Sequence, residues 1–147
     1  MTDTSKEVVQ RLYEEVWNQG KLDAVDDLVA PDCVRHDLRA GEIAPGAEGQ
    51  KAAPDMFRNA FSDTKLEVEA LVAEDDLVAA RWTITGTHTG PWAGVAATGR
   101  QVRFSGVNFY RVANGKIVEL WNLRDDFGLQ EQLGSEGHAW PTKKPND

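Results

Sequence analysis

The sequence lacks several features that mark whole classes of protein. Its 147 residues contain one cysteine, Cys33, so the chain can form neither an internal disulfide nor a multi-cysteine zinc site. No apolar run approaches the ~18 residues that a membrane-spanning helix needs, and the N-terminal residues have no apolar core of the kind found in signal peptides. We therefore expect a cytoplasmic protein with no membrane partner.

Basic residues and clustered histidines are scarce as well. The chain has 16 Lys and Arg against 24 Asp and Glu, a net charge of −8, and residues 1–76 alone carry −10. A nucleic-acid-binding protein needs a basic surface to neutralise phosphates, so we expect no nucleic-acid partner. The three histidines are far apart and lack the spacing of metal ligands, so no metal site is predicted. They are His36, His88 and His138.

The first part of the chain has helical periodicity. Apolar residues from Val9 to Trp17 recur at helical spacing and predict an amphipathic helix that ends at Gly20. A second, short helix is predicted from Leu22 and would end at Pro31, followed by a short strand from Cys33. A third helix is predicted over about residues 49–61, where an internal proline would kink it or move its start.

From residue 65 the pattern changes to the alternation of half-buried strands. Strands are predicted from Lys65, over Leu77–Thr87, over Gln101–Val112 and over Lys116–Leu123, and Asn114-Gly115 is typical of a type I′ hairpin turn. A short helix and a C-terminal tail at 135–147 follow. This order predicts one α+β domain over 1–134, in which three helices cover one face of a curved antiparallel sheet. A ligand cavity is expected between the two layers.

Two adjacent carboxylates are the best candidates for acid/base chemistry. Asp125 and Asp126 follow an apolar strand, and burial among apolar residues would raise the pKa of a carboxyl group toward neutrality. Either aspartate could instead cap the following helix. Because Asp126 directly precedes that helix, it is interpreted as the cap and Asp125 as the functional residue. The sequence contains neither the Gly-x-Ser-x-Gly motif of a nucleophilic serine nor a Gly-x-Gly-x-x-Gly phosphate loop.

Other side chains have two open interpretations. His36 and His88 could be catalytic or structural, and Asn108 could face solvent or donate a hydrogen bond into a pocket. The aromatic residues of the strands, Trp82, Phe104 and Trp121, could form the core or line a pocket for a flat polycyclic ligand.

Several motifs together resemble the SnoaL-like polyketide cyclase family. They include APDCVRHD at residues 30–37, GTHTG at 86–90 and NGKIVELW at 114–121, followed by Asp125 and Gly128-Leu129. The resemblance covers residues 5–134. It implies the nuclear transport factor 2-like fold, an α+β cone with a deep cavity that commonly occurs as a homodimer or homotetramer.

The resemblance also implies a reaction, the intramolecular aldol closure of a ring in an aromatic polyketide without a cofactor. The family's catalytic aspartate falls on Asp125, and His36 matches a histidine common at the cavity. The expected substrate is a hydrophobic carbonyl compound, and an epoxide hydrolase or hydratase and a non-catalytic binder of hydrophobic molecules remain alternatives. The residues expected to contact the substrate are Tyr13, Trp17, Phe57, Trp82, Phe104, Asn108 and Trp121.

Overall fold

Helices precede the strands, as the periodicity predicts. The structure, a computed structural model, describes residues 2–36, 44 and 46–134. Its first helix, α1, runs over Thr2–Arg11 and continues as π-helical turns over Leu12–Asn18. After a 3₁₀ turn at Leu22–Ala24, the remaining elements are α2 (Val25–Leu28), β1 (Val29–His36), α3 (Gly46–Ala60), β2 (Phe61–Glu74), β3 (Leu77–His88), β4 (Gln101–Ala113), β5 (Lys116–Arg124) and α4 (Asp126–Gln132).

The five strands form one sheet in the order β1-β5-β4-β3-β2. Strands β2 to β5 pair in antiparallel fashion, whereas β1 pairs with β5 in parallel, so the expectation of a wholly antiparallel sheet is corrected at this edge. The second helix ends at Leu28 rather than at Pro31, which lies inside β1. An edge strand tolerates proline because the missing N–H need not pair with a neighbour.

Two other expectations concern α3 and the β4–β5 hairpin. The helix begins at Gly46 and contains the buried Pro54, so a start moved toward the proline is wrong, and a kink at Pro54 stays a prediction. In the hairpin, Asn114 and Gly115 have φ values of 53° and 78°, which confirms the predicted type I′ turn.

The sheet has two distinct faces because its strands alternate. Even-numbered residues of β4, from Val102 to Val112, are buried under the helices, while the odd-numbered residues face outward. In the register of the sheet, Asn108 pairs with Asn122 and Gly106 with Arg124, so these residues share the inner face. The inner face and the helical layer therefore enclose the core.

Some expectations lie beyond what the structure describes. The tail at 135–147, with His138, falls outside the described residues, and the domain boundary at residue 134 stays a prediction. None of the helices in the described ranges has the length and apolar character to span a lipid bilayer. In the same ranges no group of His, Cys, Asp and Glu side chains is arranged to hold a metal ion.

Candidate active site

A narrow cavity lies between the helical layer and the inner face of the sheet. Its apolar wall is formed by Trp17, Phe57, Leu66 and Ile84, and its polar end by residues from the middle of the sheet. The free volume is about 20 Å³, room for roughly one water molecule. The expectation of a deep cavity is therefore corrected to a narrow one, and a substrate must displace side chains to bind.

A chain of buried hydrogen bonds forms the polar end of the cavity. Asn108 is its centre: its Oδ1 accepts from Trp82 Nε1 at 3.0 Å and from Asn122 Nδ2 at 2.8 Å, and its Nδ2 donates to the Tyr110 hydroxyl at 2.8 Å. The hydroxyls of Tyr110 and Tyr13 are 2.7 Å apart. This chain settles the open interpretation of Asn108 in favour of the inner face.

The two tyrosine hydroxyls have one hydrogen more than their mutual bond uses. One hydroxyl donates to the other, and Asn108 occupies an acceptor position on Tyr110 without consuming a hydrogen. No further hydrogen bond of either hydroxyl is found among the described residues. One O–H of the pair therefore remains to donate to a ligand.

Burial keeps both tyrosines protonated at neutral pH. It raises the pKa of Tyr110 to about 12, against the opposing effect of the hydrogen bonds from Tyr13 and Asn108. Burial also raises the pKa of Tyr13 well above its usual range. The pair is thus a weak acid in a low-dielectric site, suited to donate to a developing negative charge.

Trp82 reaches the amide of Asn108 because the residue beside it on β4 is glycine. Trp82 pairs with Gly106 in the sheet, and a Cβ at Gly106 would lie 2.3 Å from Cζ2 of the indole. The absence of a side chain lets the ring lie across β4.

Two arginines also line the cavity. The side chain of Arg124 is 7% exposed and forms an ion pair with Asp126, whose side chain is 33% exposed. The guanidinium carbon lies 4.8 Å from the ring centre of Phe57 and 5.5 Å from that of Trp92. Arg35, at 3.4 Å from Asn122 Oδ1, is a second cation at the lining.

The structure corrects the predicted N-cap of α4, while the catalytic role of Asp125 stays a prediction. Asp125, not Asp126, is the N-cap: its Oδ1 accepts from the Gly128 N–H at 2.9 Å. Its side chain is exposed and borders a shallow groove with Arg81, Ser105 and Leu123, so it is not buried among apolar residues as expected. Asp126 is the carboxylate that contacts a cavity side chain.

His36 and Trp121 lie on the outer face of the sheet, away from the cavity. Their rings stack with centres 5.0 Å apart, and His36 Nε2 is 2.7 Å from Glu119 Oε2, a contact that lowers the pKa of Glu119. They border an outer groove of about 600 Å³ with Phe109 and Leu123, and Arg35 and Asn122 line both this groove and the cavity. This groove is larger than the cavity, but its walls are mainly apolar, whereas the cavity holds the buried donors. We therefore place the candidate site in the cavity.

The other sequence candidates divide between the cavity and the core. Tyr13, Trp17, Phe57, Trp82 and Asn108 line the cavity, and Phe104 is buried behind Phe57, with ring centres 5.7 Å apart. His88 is buried against Phe61, and its Nδ1 accepts from the Thr98 N–H at 3.1 Å. Cys33 is buried as well, and burial raises the pKa of its thiol to about 11, so it is no nucleophile at neutral pH.

Five polar residues of the cavity lining were missed from the sequence: Arg35, Gln50, Tyr110, Asn122 and Arg124. The period of two in the strands contains the necessary information for three of them. Tyr110 is two residues after Asn108. Asn122 and Arg124 are two and four residues after the buried Leu120, so they lie on the same face of β5 as Leu120. By the same alternation Trp121 belongs to the opposite face.

Comparisons with known proteins agree with this architecture. The family model of the SnoaL-like polyketide cyclases matches residues 7–133. The chain is 32% identical to the aklanonic acid methyl ester cyclase DnrD of Streptomyces peucetius, over 95% of this chain and 94% of that protein.

Solved structures show the same similarity. IdmH of Streptomyces antibioticus, a proposed polyketide cyclase, is 34% identical with a TM-score of 0.76, covering 88% of this chain and 98% of IdmH. AclR of Streptomyces galilaeus, a proposed hydroxylase, is 30% identical with a TM-score of 0.80, covering 91% and 98%. With the family model matching nearly the whole chain and the fold shared with these proteins, the chain belongs to the SnoaL-like polyketide cyclase family.

Proposed function

We propose that this protein is a polyketide cyclase that closes a ring by intramolecular aldol addition in a hydrophobic polyketide ester. The buried chain of Tyr13, Tyr110 and Asn108 at the end of the cavity is the observation that carries this proposal. It offers an O–H donor, and aromatic walls surround the space where a flat substrate would lie. The relatives that act on aklanonic and nogalonic acid methyl esters indicate the substrate class.

The aldol step makes one carbon–carbon bond and moves one proton. A carbon between two carbonyl groups is acidic, so it loses its proton to solvent and becomes an enolate. The enolate carbon attacks a second carbonyl carbon, whose oxygen becomes an alkoxide and takes a proton from the tyrosine pair, which recovers it from solvent. Proton transfer is downhill because an alkoxide is more basic than a phenolate, even one from Tyr110 with a pKa of about 12.

In this proposal the cavity acts by positioning and by hydrogen bonding. Folding the substrate between Trp17 and Trp82 would bring its two reacting carbons together, and positioning contributes much of the acceleration in intramolecular reactions. Asn108 would hold the hydroxyl of Tyr110 in place through a bond that Trp82 and Asn122 orient from the other side.

The test is conversion of aklanonic acid methyl ester and nogalonic acid methyl ester, followed by liquid chromatography and mass spectrometry. We expect a new product of unchanged mass. Removal of one oxyanion donor costs an enzyme about a hundredfold or more in kcat. Tyr13→Phe and Tyr110→Phe should each cause a loss of that order, while KM changes little.

Ser105→Ala is the control, because this hydroxyl bonds to Thr83 outside the cavity lining. Full turnover in both tyrosine variants would contradict the assignment of the donor. A product that has gained water would indicate the hydratase alternative, and one that has gained oxygen would indicate a hydroxylase. Binding of the esters without conversion would indicate a binding protein.

A further inference from the structure

The charge around the cavity is opposite to that of the whole chain. The chain has a net charge of −8, yet two arginines, Arg35 and Arg124, line the cavity. Of the residues that the structure describes, no aspartate or glutamate belongs to this lining. The described lining of the cavity therefore holds cations and no carboxylate, and Asp126 pairs with Arg124 from outside it.

The neutral polar groups of the cavity also favour a negatively charged ligand. The amide oxygens of Asn108 and Asn122 already accept hydrogen bonds from Trp82 Nε1, Asn122 Nδ2 and Arg35. Their acceptor capacity is largely occupied, so these two amides offer a ligand mainly N–H groups. Such a lining favours an oxygen that only accepts, and an ionised oxygen most of all.

A guanidinium has five N–H donors, so Arg124 can contact a ligand while its Nε donates to Asp126. The arginine side chain is 7% exposed and its partner, Asp126, is 33% exposed, so the carboxylate is the end of the pair that water reaches. A ligand anion arriving from the cavity would contact the buried end. Attraction between the two charges is strong there because the surroundings are aromatic side chains rather than water.

We propose that the cavity selects the ionised form of its ligand, the enolate or phenolate of a polyketide, with Arg124 as the partner of the delocalised oxyanion. The inference rests on the proposed function only in placing the ligand in the same cavity. It assigns to Arg124 a role in stabilising the enolate before the ring closes. It also predicts that a bound hydroxyarene ionises at lower pH than the free compound.

Alizarin, a hydroxyanthraquinone whose colour changes when it ionises, is a suitable probe. Its spectrum is titrated with pH, alone and with excess protein. We expect the protein to lower the midpoint of ionisation by about one pH unit, which corresponds to a tenfold preference for the anion. Arg124→Gln should abolish the shift. Arg81→Gln, which removes an arginine ion-paired with Glu69 on the outer face, should leave it unchanged.

A second variant keeps the test decisive if Arg124→Gln does not fold. Asp126→Asn removes the carboxylate that competes for Arg124, so the shift should become larger than in the unmodified protein. An unchanged shift in Arg124→Gln, a smaller shift in Asp126→Asn, or no binding of alizarin in either form would overturn the inference.

This experiment is separate from the assay of ring closure. An ionisation shift without conversion of the polyketide esters would refute the proposed reaction and leave the anion preference standing. Conversion of the esters without any ionisation shift would refute the anion preference and leave the proposed reaction standing.

Discussion

Individual residues near the end of β5 have roles that depend on the side to which each one points. Arg124 lies inside, where its guanidinium rests on Phe57, whereas the next residue, Asp125, is exposed and caps α4. Arg124 is the last residue of β5 and Asp125 the N-cap of the helix that follows, so one residue separates a cavity cation from a surface carboxylate. The motif resemblance that places the catalytic aspartate on Asp125 does not carry this information.

Substitution of Asp125 separates capping from catalysis. Asparagine is also a good N-cap, so Asp125→Asn should retain stability, while Asp125→Ala should lower the free energy of unfolding by about 1 kcal/mol. Because the side chain is exposed and outside the cavity, we expect Asp125→Asn to keep its turnover. Urea unfolding and the cyclisation assay measure the two properties.

The sequence-based hypothesis for Asp125 predicts a different result. If its carboxylate is the catalytic base, Asp125→Asn would lose turnover while unfolding at the same urea concentration as the unmodified protein. That result would restore the hypothesis and contradict the positional argument.

The buried thiol predicts how stability depends on pH. Burial raises the pKa of Cys33 to about 11, above its value in the unfolded chain, so folding favours the protonated thiol. This contribution is complete below about pH 8.5 and is lost as the pH rises through 11. The loss amounts to about 3 kcal/mol at most. Tyr110, with a pKa raised to about 12, acts in the same direction at higher pH.

We therefore expect the free energy of unfolding to fall between pH 8.5 and 11 more steeply in the unmodified protein than in Cys33→Ala. Urea unfolding at several pH values gives the two slopes. Comparing slopes removes the constant cost of truncating the side chain. Equal slopes would show that the ionisation of the Cys33 thiol does not contribute to the pH dependence of stability.

At the scale of elements, local patterns predict β3, β4 and β5 to within one residue. The alternation of buried and exposed residues is visible within each strand, and the Asn114-Gly115 turn joins two strands that follow each other in the sequence. The predicted start of β2, Lys65, lies after its observed start at Phe61. The prediction also fails at β1 and α2, because β1 pairs with β5 almost ninety residues later, and that partner makes residues 29–31 strand rather than helix. Long-range pairing of this kind leaves no periodic trace nearby.

The pairing of Trp82 on β3 with Gly106 on β4 can be tested at this scale. Gly106→Ala would place a Cβ 2.3 Å from the indole of Trp82 and 2.8 Å from the Leu123 carbonyl oxygen. The buried ring must move and lose its bond to Asn108, so we expect a destabilisation of about 1–3 kcal/mol and a changed near-ultraviolet circular dichroism spectrum.

Gly99→Ala is the matched control for this methyl group. It adds the same atom at a position with no heavy atom within 4 Å, at a φ of 72°. Backbone strain should lower its stability while its tryptophan spectrum stays unchanged. A Gly106→Ala protein with native stability and spectrum would contradict the packing argument.

At the scale of the whole molecule, the outer face of the sheet has an apolar band. In the sheet register Val72, Ala79, Phe109 and Trp121 form one row, beside which Val107 pairs with Leu123. Val72 is 62% exposed and Leu123 64%. Ion pairs border the band on both sides, Arg81 with Glu69 and Arg111 with Glu119. A patch rimmed by charges of both signs can match a second copy of itself about a two-fold axis.

We expect the protein to form a homodimer through this band. Light scattering coupled to size exclusion should give a dimer mass for the unmodified chain and a monomer mass for Leu123→Asp and Phe109→Asp. Met56→Asp, an equally apolar exposed position on α3, is the control and should remain dimeric. A monomer mass for the unmodified chain at tens of micromolar would refute the prediction.

The sequence by itself determined the class of fold, the family and the existence of a cavity between helices and sheet, because periodicity, turn residues and ordered motifs are properties of neighbouring positions. Only the tertiary structure decided which side chains share that cavity. Asn108, Asn122 and Tyr110 meet through strand register, Arg124 enters and Asp125 stays outside, and His36 joins Trp121 on the opposite face. Pairing between distant segments sets these contacts, so local patterns alone do not specify them.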